Sequence, residues 1–413
     1  MSLKEKIALE LTTVNPVSGE YIYTDLLLPA LPFEIEDAMQ RARITTQYND
    51  LFDISVINCT YLPELADTRI DGASIKELNL FAKRLQTLSN NEIFALNGVF
   101  MNQKESGVYE DGVSMKDLIN LTYGLDAIPV VPGIDSDEKI GEFVIDNDLC
   151  EELVGVSPDA VKFLDKTSIG KAHKEAEKGQ FVAGNYVATA PYSFPQEYKG
   201  ASSEQLKVKN NIAFVLEVAE APVNDSQETA ESAEALYLPI LKSDANEVAI
   251  AHNGKCIEDC VFYDFKSAIP GIDSDMFGDM QDFDKLNEIA EKYVSLSETD
   301  KIKLKAVIAK EYPDTLDKVI ELCDNLPRYE ISYYCEDTGS FAKEYLLHHL
   351  PTDFDGKIFD GVSLDSLGGN IMKELGASVT SYGIVSERDR SLFEIKNENV
   401  EALNHGFGEM QQC

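Results

Sequence analysis

Residues 135–187 and 336–385 pass through the same series of events, and this repetition constrains the fold more than any other feature of the chain. In the first passage an acidic helical pattern, Asp135-Ser-Asp-Glu-Lys-Ile-Gly-Glu-Phe-Val-Ile-Asp-Asn-Asp148, comes before Phe163-Leu-Asp-Lys-Thr-Ser-Ile-Gly-Lys171. A strand-like end follows, Gln180-Phe-Val-Ala-Gly-Asn-Tyr-Val187. In the second passage, Glu336 to Leu347 leads into Ser363-Leu-Asp-Ser-Leu-Gly368 and then Ser378-Val-Thr-Ser-Tyr-Gly-Ile-Val385. Ile169-Gly170 falls on Leu367-Gly368, and Phe181 and Tyr186-Val187 fall on Val379 and Ile384-Val385, all at an offset of 198. One offset shared by several positions predicts an internal duplication.

The repetition reaches further upstream. Leu28-Pro29 is echoed by Leu238-Pro239. Leu78-Asn79, Ala82, Leu88-Ser89, Leu96 and Val99 recur 208 residues later as Leu286-Asn287, Ala290, Leu296-Ser297, Leu304 and Val307. Leu118-Ile119, Leu121 and Leu125 recur at 201 as Val319-Ile320, Leu322 and Leu326. Small drifts of this kind are what loop insertions produce. The chain is therefore read as a first module over 1–190, a linker over 191–211, a second module over 212–390 and a tail over 391–413. The 413 residues are enough for two to four domains with cores of their own.

Local patterns predict a mixed α+β fold built of small sheets and short helices. Glu20 to Leu28 reads as a strand closed by prolines, and Glu34 to Arg43 as a short helix. Phe52 to Ile57 alternates like a half-buried strand. Ser74-Ile-Lys-Glu77 is a capping box, which satisfies free backbone N–H groups at a helix start. Ser89 to Phe100 gives another helix, and Ser114-Met-Lys-Asp117 opens a third. Ile212 to Val218 and Leu236 to Leu241 read as strands, and Pro222 to Ala235 as a loop.

Charge limits the partners. There are 73 Asp+Glu against 36 Lys+Arg, a formal net charge of -37. Binding to phosphate backbones or anionic lipid needs clustered cations, so both are disfavoured, and a basic partner is favoured. The acid excess is carried by both modules, not by a tail. No apolar run approaches the roughly 20 residues that span a bilayer, and the N-terminus lacks the apolar stretch of a signal peptide. Seven scattered cysteines fit reduced thiols, and the expected location is the cytoplasm.

The acids gather in two stretches. Glu138, Glu142 and Asp146 stand at i, i+4 and i+8, one stripe of carboxylates opposite Ile140, Phe143 and Val144. Asp135 and Asp137 precede this stripe, and Asp148, Glu151, Glu152 and Asp159 extend it. The second stretch holds Asp273, Asp275, Asp279, Asp282, Asp284, Glu288 and Glu291 against the single Lys285. Carboxylates about 6 Å apart repel by roughly 0.7 kcal/mol even at the dielectric of water. A run of such pairs is a stability cost that burial does not explain. Asp273, Asp275, Gly278, Asp279 and Asp284 approximate a calcium loop, but Phe277 fills a ligand position and Asp284 replaces the bidentate Glu. His252, Cys256 and Cys260 lack a fourth zinc ligand, and Asn253-Gly254 interrupts a helix there. The Gly-x-Ser triplets at Gly112 and Gly361 lack the second Gly of a nucleophile elbow and read as loop glycines before N-cap serines. His348-His349 sits in a helical pattern. The chain is thus expected to be no enzyme, to hold no metal, and to need no cofactor.

Each module resembles the ArdA antirestriction proteins. The residues that carry the resemblance are Tyr21-Ile-Tyr23, Ser74-Ile-Lys-Glu-Leu-Asn79, the acidic helix near Glu142, and the closing segment from Pro158 through Ile169-Gly170 to Gly184-Asn-Tyr-Val187. Members of that family usually continue with Arg-Asp after this segment. Here Lys171-Ala172 and Gly369-Asn370 stand instead, so these are divergent copies. The resemblance implies an elongated α+β protein with three small domains per module, encoded on a mobile genetic element. It implies an acidic surface that imitates bent duplex DNA and occupies the DNA groove of a type I restriction-modification enzyme, at its methyltransferase core. Family members are single modules that dimerise. Two fused modules are expected to replace that dimer, giving a pseudo-dimeric monomer. Two rival classes are an acidic scaffold for another basic nucleic-acid-binding partner and an enzyme with a site the sequence does not reveal.

Overall fold

The computed structural model describes residues 7–15, 19–44, 52–72, 74–149, 160, 163–190, 192–206, 211–219, 233–277, 280–349, 361 and 363–387. The fold is mixed α+β, with twelve helices and several small sheets among these residues. It divides into two compact units, one of 1–12, 23–31 and 53–208, the other of 13–22, 32–52 and 209–413.

The first sheet has the order β2-β1-β3, from β1 (Ile7–Val14), β2 (Tyr21–Leu28) and β3 (Phe52–Cys59). Strand β1 adds to the expected elements. Ile7, Leu9 and Leu11 are buried at every second position, the period of a strand with one apolar face. Helix α1 (Pro32–Arg41) follows the cis Leu28–Pro29 bond. After it come β4 (Ile70–Asp71), α2 (Ile75–Leu85), α3 (Asn90–Glu105), β5 (Val113–Ser114) and α4 (Met115–Leu121), with β4 and β5 parallel. The helix starts are set by the predicted serines. Ser74 accepts from the Glu77 N–H, Ser114 accepts from the Asp117 N–H, and Ser89 forms a reciprocal box with Glu92.

A third small assembly closes the first unit. Strand β6 (Val130–Pro132), helices α5 (Asp137–Asp146) and α6 (Lys166–Ala176), and strands β7 (Gln180–Val182) and β8 (Asn185–Val187) give an antiparallel sheet of order β6-β8-β7. Its core is Ile134, Ile140, Val144, Tyr186 and Ala188. Residues 192–206, inside the predicted linker, are pinned rather than loose. Tyr198 is fully buried, its hydroxyl donates to Glu77 at 2.7 Å, and Asn120 holds its backbone N–H and C=O at 2.9 and 3.1 Å. Glu77 also accepts from the Ser74 hydroxyl at 2.9 Å, so one carboxylate serves helix cap and linker. Tyr198→Phe strands one buried acceptor interaction and is expected to cost about 1–2 kcal/mol, read by urea unfolding.

The second unit passes through a similar order. Strands β9 (Phe214–Ala219), β10 (Glu234–Leu238) and β11 (Val261–Ser267) form the sheet β10-β9-β11, with α7 (Lys242–Ala251) after the cis Leu238–Pro239 bond. Helices α8 (Phe283–Ser295), α9 (Glu298–Glu311) and α10 (Leu316–Asp324) come next. Strand β12 (Tyr329–Ser332), helices α11 (Thr338–His349) and α12 (Leu364–Glu374), and strands β13 (Ser378–Thr380) and β14 (Gly383–Glu387) close it in the antiparallel order β12-β14-β13.

Several local geometries occur twice along the chain. The Asn79 side chain accepts from the Ala30 N–H at 2.8 Å, and Asn287 accepts from the Ile240 N–H at 2.9 Å. Helices α1 and α7 are each followed by a residue at φ 60, Arg43 and Asn253. The next N–H returns to the helix in both cases, Ile44 to Met39 at 2.9 Å and Gly254 to Ala249 at 2.8 Å. Gly170 and Gly368 each let one helix press on the backbone of another. A Cβ on Gly170 would lie 1.8 Å from the Asp137 carbonyl oxygen, and one on Gly368 would lie 1.9 Å from that of Thr338.

Candidate functional site

The two acidic stretches are held on folded helices, and lysines from elsewhere in the chain reach into both. Helix α5 starts at Ser136, whose hydroxyl accepts from the Lys139 N–H. Ile140 and Val144 are buried beneath the helix, and Gly141 lies against the Lys166 backbone. This packing leaves Glu138 and Asp146 exposed and Glu142 half-buried. Lys166, at the start of α6, ion-pairs with Glu142 at 2.7 Å. Its ammonium is held above the ordinary lysine range by the hydrogen bond to Glu142, with the charges of Asp146 and Glu138 adding to the effect. Lys139 pairs with Asp135 at 2.8 Å, and Lys174 pairs with Asp137 at 3.2 Å. The predicted stripe therefore exists, but one cation from the neighbouring helix sits among its carboxylates. Close approach of α5 and α6 at Gly141 and Gly170 places it there. Glu138, Asp146 and Asp148 form no ion pair among the described residues. Glu151, Glu152 and Asp159 lie outside the described residues.

The second stretch does not stand against Lys285 alone. Lys242 pairs with Glu258 at 2.6 Å and Asp284 at 2.7 Å. Lys285 pairs with Asp282 at 3.5 Å and with Asp317 of α10 at 2.9 Å. Lys292 pairs with Glu288 at 3.6 Å and with Asp324 of α10. Each ammonium thus lies between two carboxylates from different segments and leaves a net charge of about −1 per group of three. Hydrogen bonds to Asp317 and Asp324 hold the Lys285 and Lys292 ammoniums above their ordinary range. Lys285 and Lys292 are seven residues apart, as are Asp317 and Asp324, so the two rungs repeat about 10 Å along the helices. That common interval is the one signal in the sequence that could have found them. Glu291 is exposed and accepts from the Asn287 side chain at 3.2 Å.

Asp273 and Asp275 belong to a local turn in which Asp273 accepts from the Asp275 N–H at 2.9 Å. Phe277 is buried against the Phe262 and Phe265 rings, each at 5.0 Å, so the fifth position of the calcium-like loop points into a core. Asp279 lies outside the described residues. His252 faces Glu234 at 3.6 Å, and burial raises the Cys260 thiol above its ordinary range. Among the described residues no group of three or more His, Cys, Asp and Glu side chains is disposed to hold a metal ion. Ser114 and Ser363 act as helix N-caps, accepting from the N–H groups of Asp117 and Ser366. His348 and His349 are exposed on α11, each bonded to a carbonyl four residues back. Among the described residues no helix is long and apolar enough to cross a membrane.

What the arrangement can do is electrostatic. Exposed ion pairs contribute only about 0.2–1 kcal/mol each. They do restrict the carboxylates they hold, so negative charge is presented at fixed places on packed helices. No protein-family model matches the chain, and no curated protein is significantly similar to it.

Proposed function

We propose that the chain is a non-catalytic, ArdA-like mimic of duplex DNA, built of two homologous modules, that occupies the DNA groove of a type I restriction-modification enzyme. The observation that carries this reading is the presentation of carboxylates on folded helices at helix-repeat intervals in both halves, with a net negative charge left after lysine pairing. A groove lined with Lys and Arg for phosphates accepts a fixed carboxylate array in their place, because complementary potential steers and orients the encounter. Release of counterions from that groove makes the interaction weaken with salt.

Displacement of a labelled duplex from a type I methyltransferase core, at two salt concentrations, tests the proposal. Near-stoichiometric release, lost at high salt, is the expected result. Glu138→Lys combined with Asp146→Lys and Asp148→Lys reverses exposed charges that bear no ion pair among the described residues, and is expected to weaken release at least about tenfold with the fold intact. Absence of release from several unrelated type I enzymes would turn the reading toward an acidic adaptor for a different basic partner.

The tandem arrangement further implies a monomer. Strands β8 and β14 are central in their sheets, bonded on both edges, so neither offers a free edge for pairing with a second copy. Light scattering at the mass of one chain, 45.8 kDa, is the expected outcome. A tight dimer through the Gly184–Val187 or Gly383–Val385 segments would sink this part of the reading.

A further inference from the structure

Tyr312 caps α9 in a backbone conformation that bulky residues avoid. It lies at φ 47, ψ 58, in the left-handed region, and its N–H returns to the Ile308 carbonyl at 3.0 Å. Glycine or asparagine is the usual residue at such a helix end. Pro313 comes next and is buried, and a residue before proline is pushed toward extended backbone. The first half shows the ordinary solution, since the left-handed position after α3 is filled by Gly107 at φ 76. Strain of this kind can be offset by contacts inside the fold. Arg43, at φ 60, is buried and donates to the Gln40, Arg41 and Ser381 carbonyls at 3.4, 3.0 and 2.8 Å. Tyr312 has no such contacts. It is 83% exposed, and among the described residues its hydroxyl has no hydrogen-bond partner and its ring no aromatic or cationic one.

The helix that carries Tyr312 is firmly held. Midway along it, the outer side of α1 meets α9 in a buried polar seam. Lys305 is fully buried, and its ammonium donates to Asp37 at 2.9 Å and to Gln40 at 2.8 Å. Tyr382, in the turn between β13 and β14, donates its hydroxyl to Asp37 at 2.7 Å, and the Tyr333 hydroxyl donates to the Gln40 carbonyl at 2.7 Å. Nearer the helix end, Lys310 lies 5.6 Å from the centre of the Tyr329 ring and ion-pairs with Glu311 and, at 4.0 Å, with Glu387. Lys318 pairs with Asp314 at 2.7 Å. Three carboxylates therefore face two ammoniums around this turn, which leaves one negative charge beside an exposed ring.

We propose that Tyr312 is an anchor for an arginine of the protein partner, whose guanidinium stacks on the exposed ring while Glu311 and Asp314 meet its charge. The inference rests on the reading above, in which the partner's groove is built to hold phosphates. Arginine suits such a groove by its bidentate fork, and its planar guanidinium also stacks on aromatic faces, whereas the lysine ammonium is a compact, strongly hydrated charge. An aromatic side chain on a rigid helix end loses little freedom when it is covered, and such residues carry much of the binding energy of an interface. The strain at Tyr312 is then offset in the complex and not in the free chain.

Displacement of a labelled duplex from a type I methyltransferase core, measured for the full chain and two variants together with their thermal unfolding, tests the anchor. Tyr312→Gly removes the ring and the strain together. It is expected to melt no lower than the wild type, yet to need roughly tenfold more protein for the same release. Tyr312→Phe keeps the ring and is expected to release the duplex as the wild type does. Equal release by Tyr312→Gly and the wild type would overturn the anchor and leave the DNA-mimic reading standing. A melting temperature lowered by Tyr312→Gly would assign the ring a role inside the fold and overturn the anchor also. Absence of release by the wild type would overturn the reading and the anchor together.

Discussion

Gly170→Ala is expected to destabilise the β6-β8-β7 assembly by about 3 kcal/mol or more, at the upper end of what overpacking costs. The added methyl group would lie 1.8 Å from the Asp137 carbonyl oxygen and 2.7 Å from the Gly141 nitrogen. Both are backbone atoms, so no rotamer change relieves the clash, and α5 and α6 must separate. Separation uncovers Ile140 and Val144 and moves Lys166 away from Glu142, so packing and charge arrangement fail together. Gly368→Ala is expected to act in the same way on α11 and α12, where the nearest atom is the Thr338 carbonyl oxygen at 1.9 Å. Gly369→Ala is the control. It has open space around its Cβ position within the same helix, and alanine favours a helix interior by about 0.5–1 kcal/mol. Thermal unfolding of the three variants should therefore show two large losses and one small gain.

Lys305→Ala is expected to cost about 3–5 kcal/mol, the usual result of removing one member of a buried ion pair. The loss does not measure the worth of the pair. It measures Asp37, which keeps its charge and its Tyr382 hydrogen bond but loses the ammonium that offset its burial. Replacing the whole group, Lys305→Met with Asp37→Leu and Tyr382→Phe, removes the charges and their desolvation cost together. That triple variant is expected to recover to within about 1 kcal/mol of the wild type in urea unfolding. Equal damage from the single and the triple changes would show that Lys305 acts through its packing instead.

Much of the fold was legible because the features that specify it are local. Ser74, Ser89 and Ser114 mark helix starts by their own hydrogen bonds, and the Ile140, Phe143 and Val144 stripe marks the buried side of α5. The acids were equally visible as sequence. Their pairing was not, because it depends on how closely helices approach. Lys166 meets Glu142 only because Gly141 and Gly170 let α5 and α6 touch, and Lys242 meets Asp284 across 42 residues. Tyr198 lay in a stretch whose polar composition reads as a tether, and its burial depends on Glu77 and Asn120 far upstream. The α1–α9 seam was least accessible of all. Its polar residues come from helix positions that periodicity assigns to solvent, as Glu247 and Ile250 of α7 in fact are, with Ile250 62% exposed.

That difference between α1 and α7 bears on how such a chain can change over generations. If the two halves are the homologous modules proposed above, their gene is open to unequal exchange, which deletes one copy and joins the ends of the two. A recombinant carrying α7 in the place of α1 would put Glu247 where Asp37 stands and Ile250 where Gln40 stands, before the buried ammonium of Lys305. Glu247 would set a longer carboxylate before Lys305 and Tyr382, and Ile250 would remove the Gln40 side-chain acceptor of Lys305 while leaving the backbone carbonyl that Tyr333 uses, so the buried ammonium would be one acceptor short in a seam of changed volume. Each half is thereby committed to its own position, and a chain of two parts resists being shortened to one.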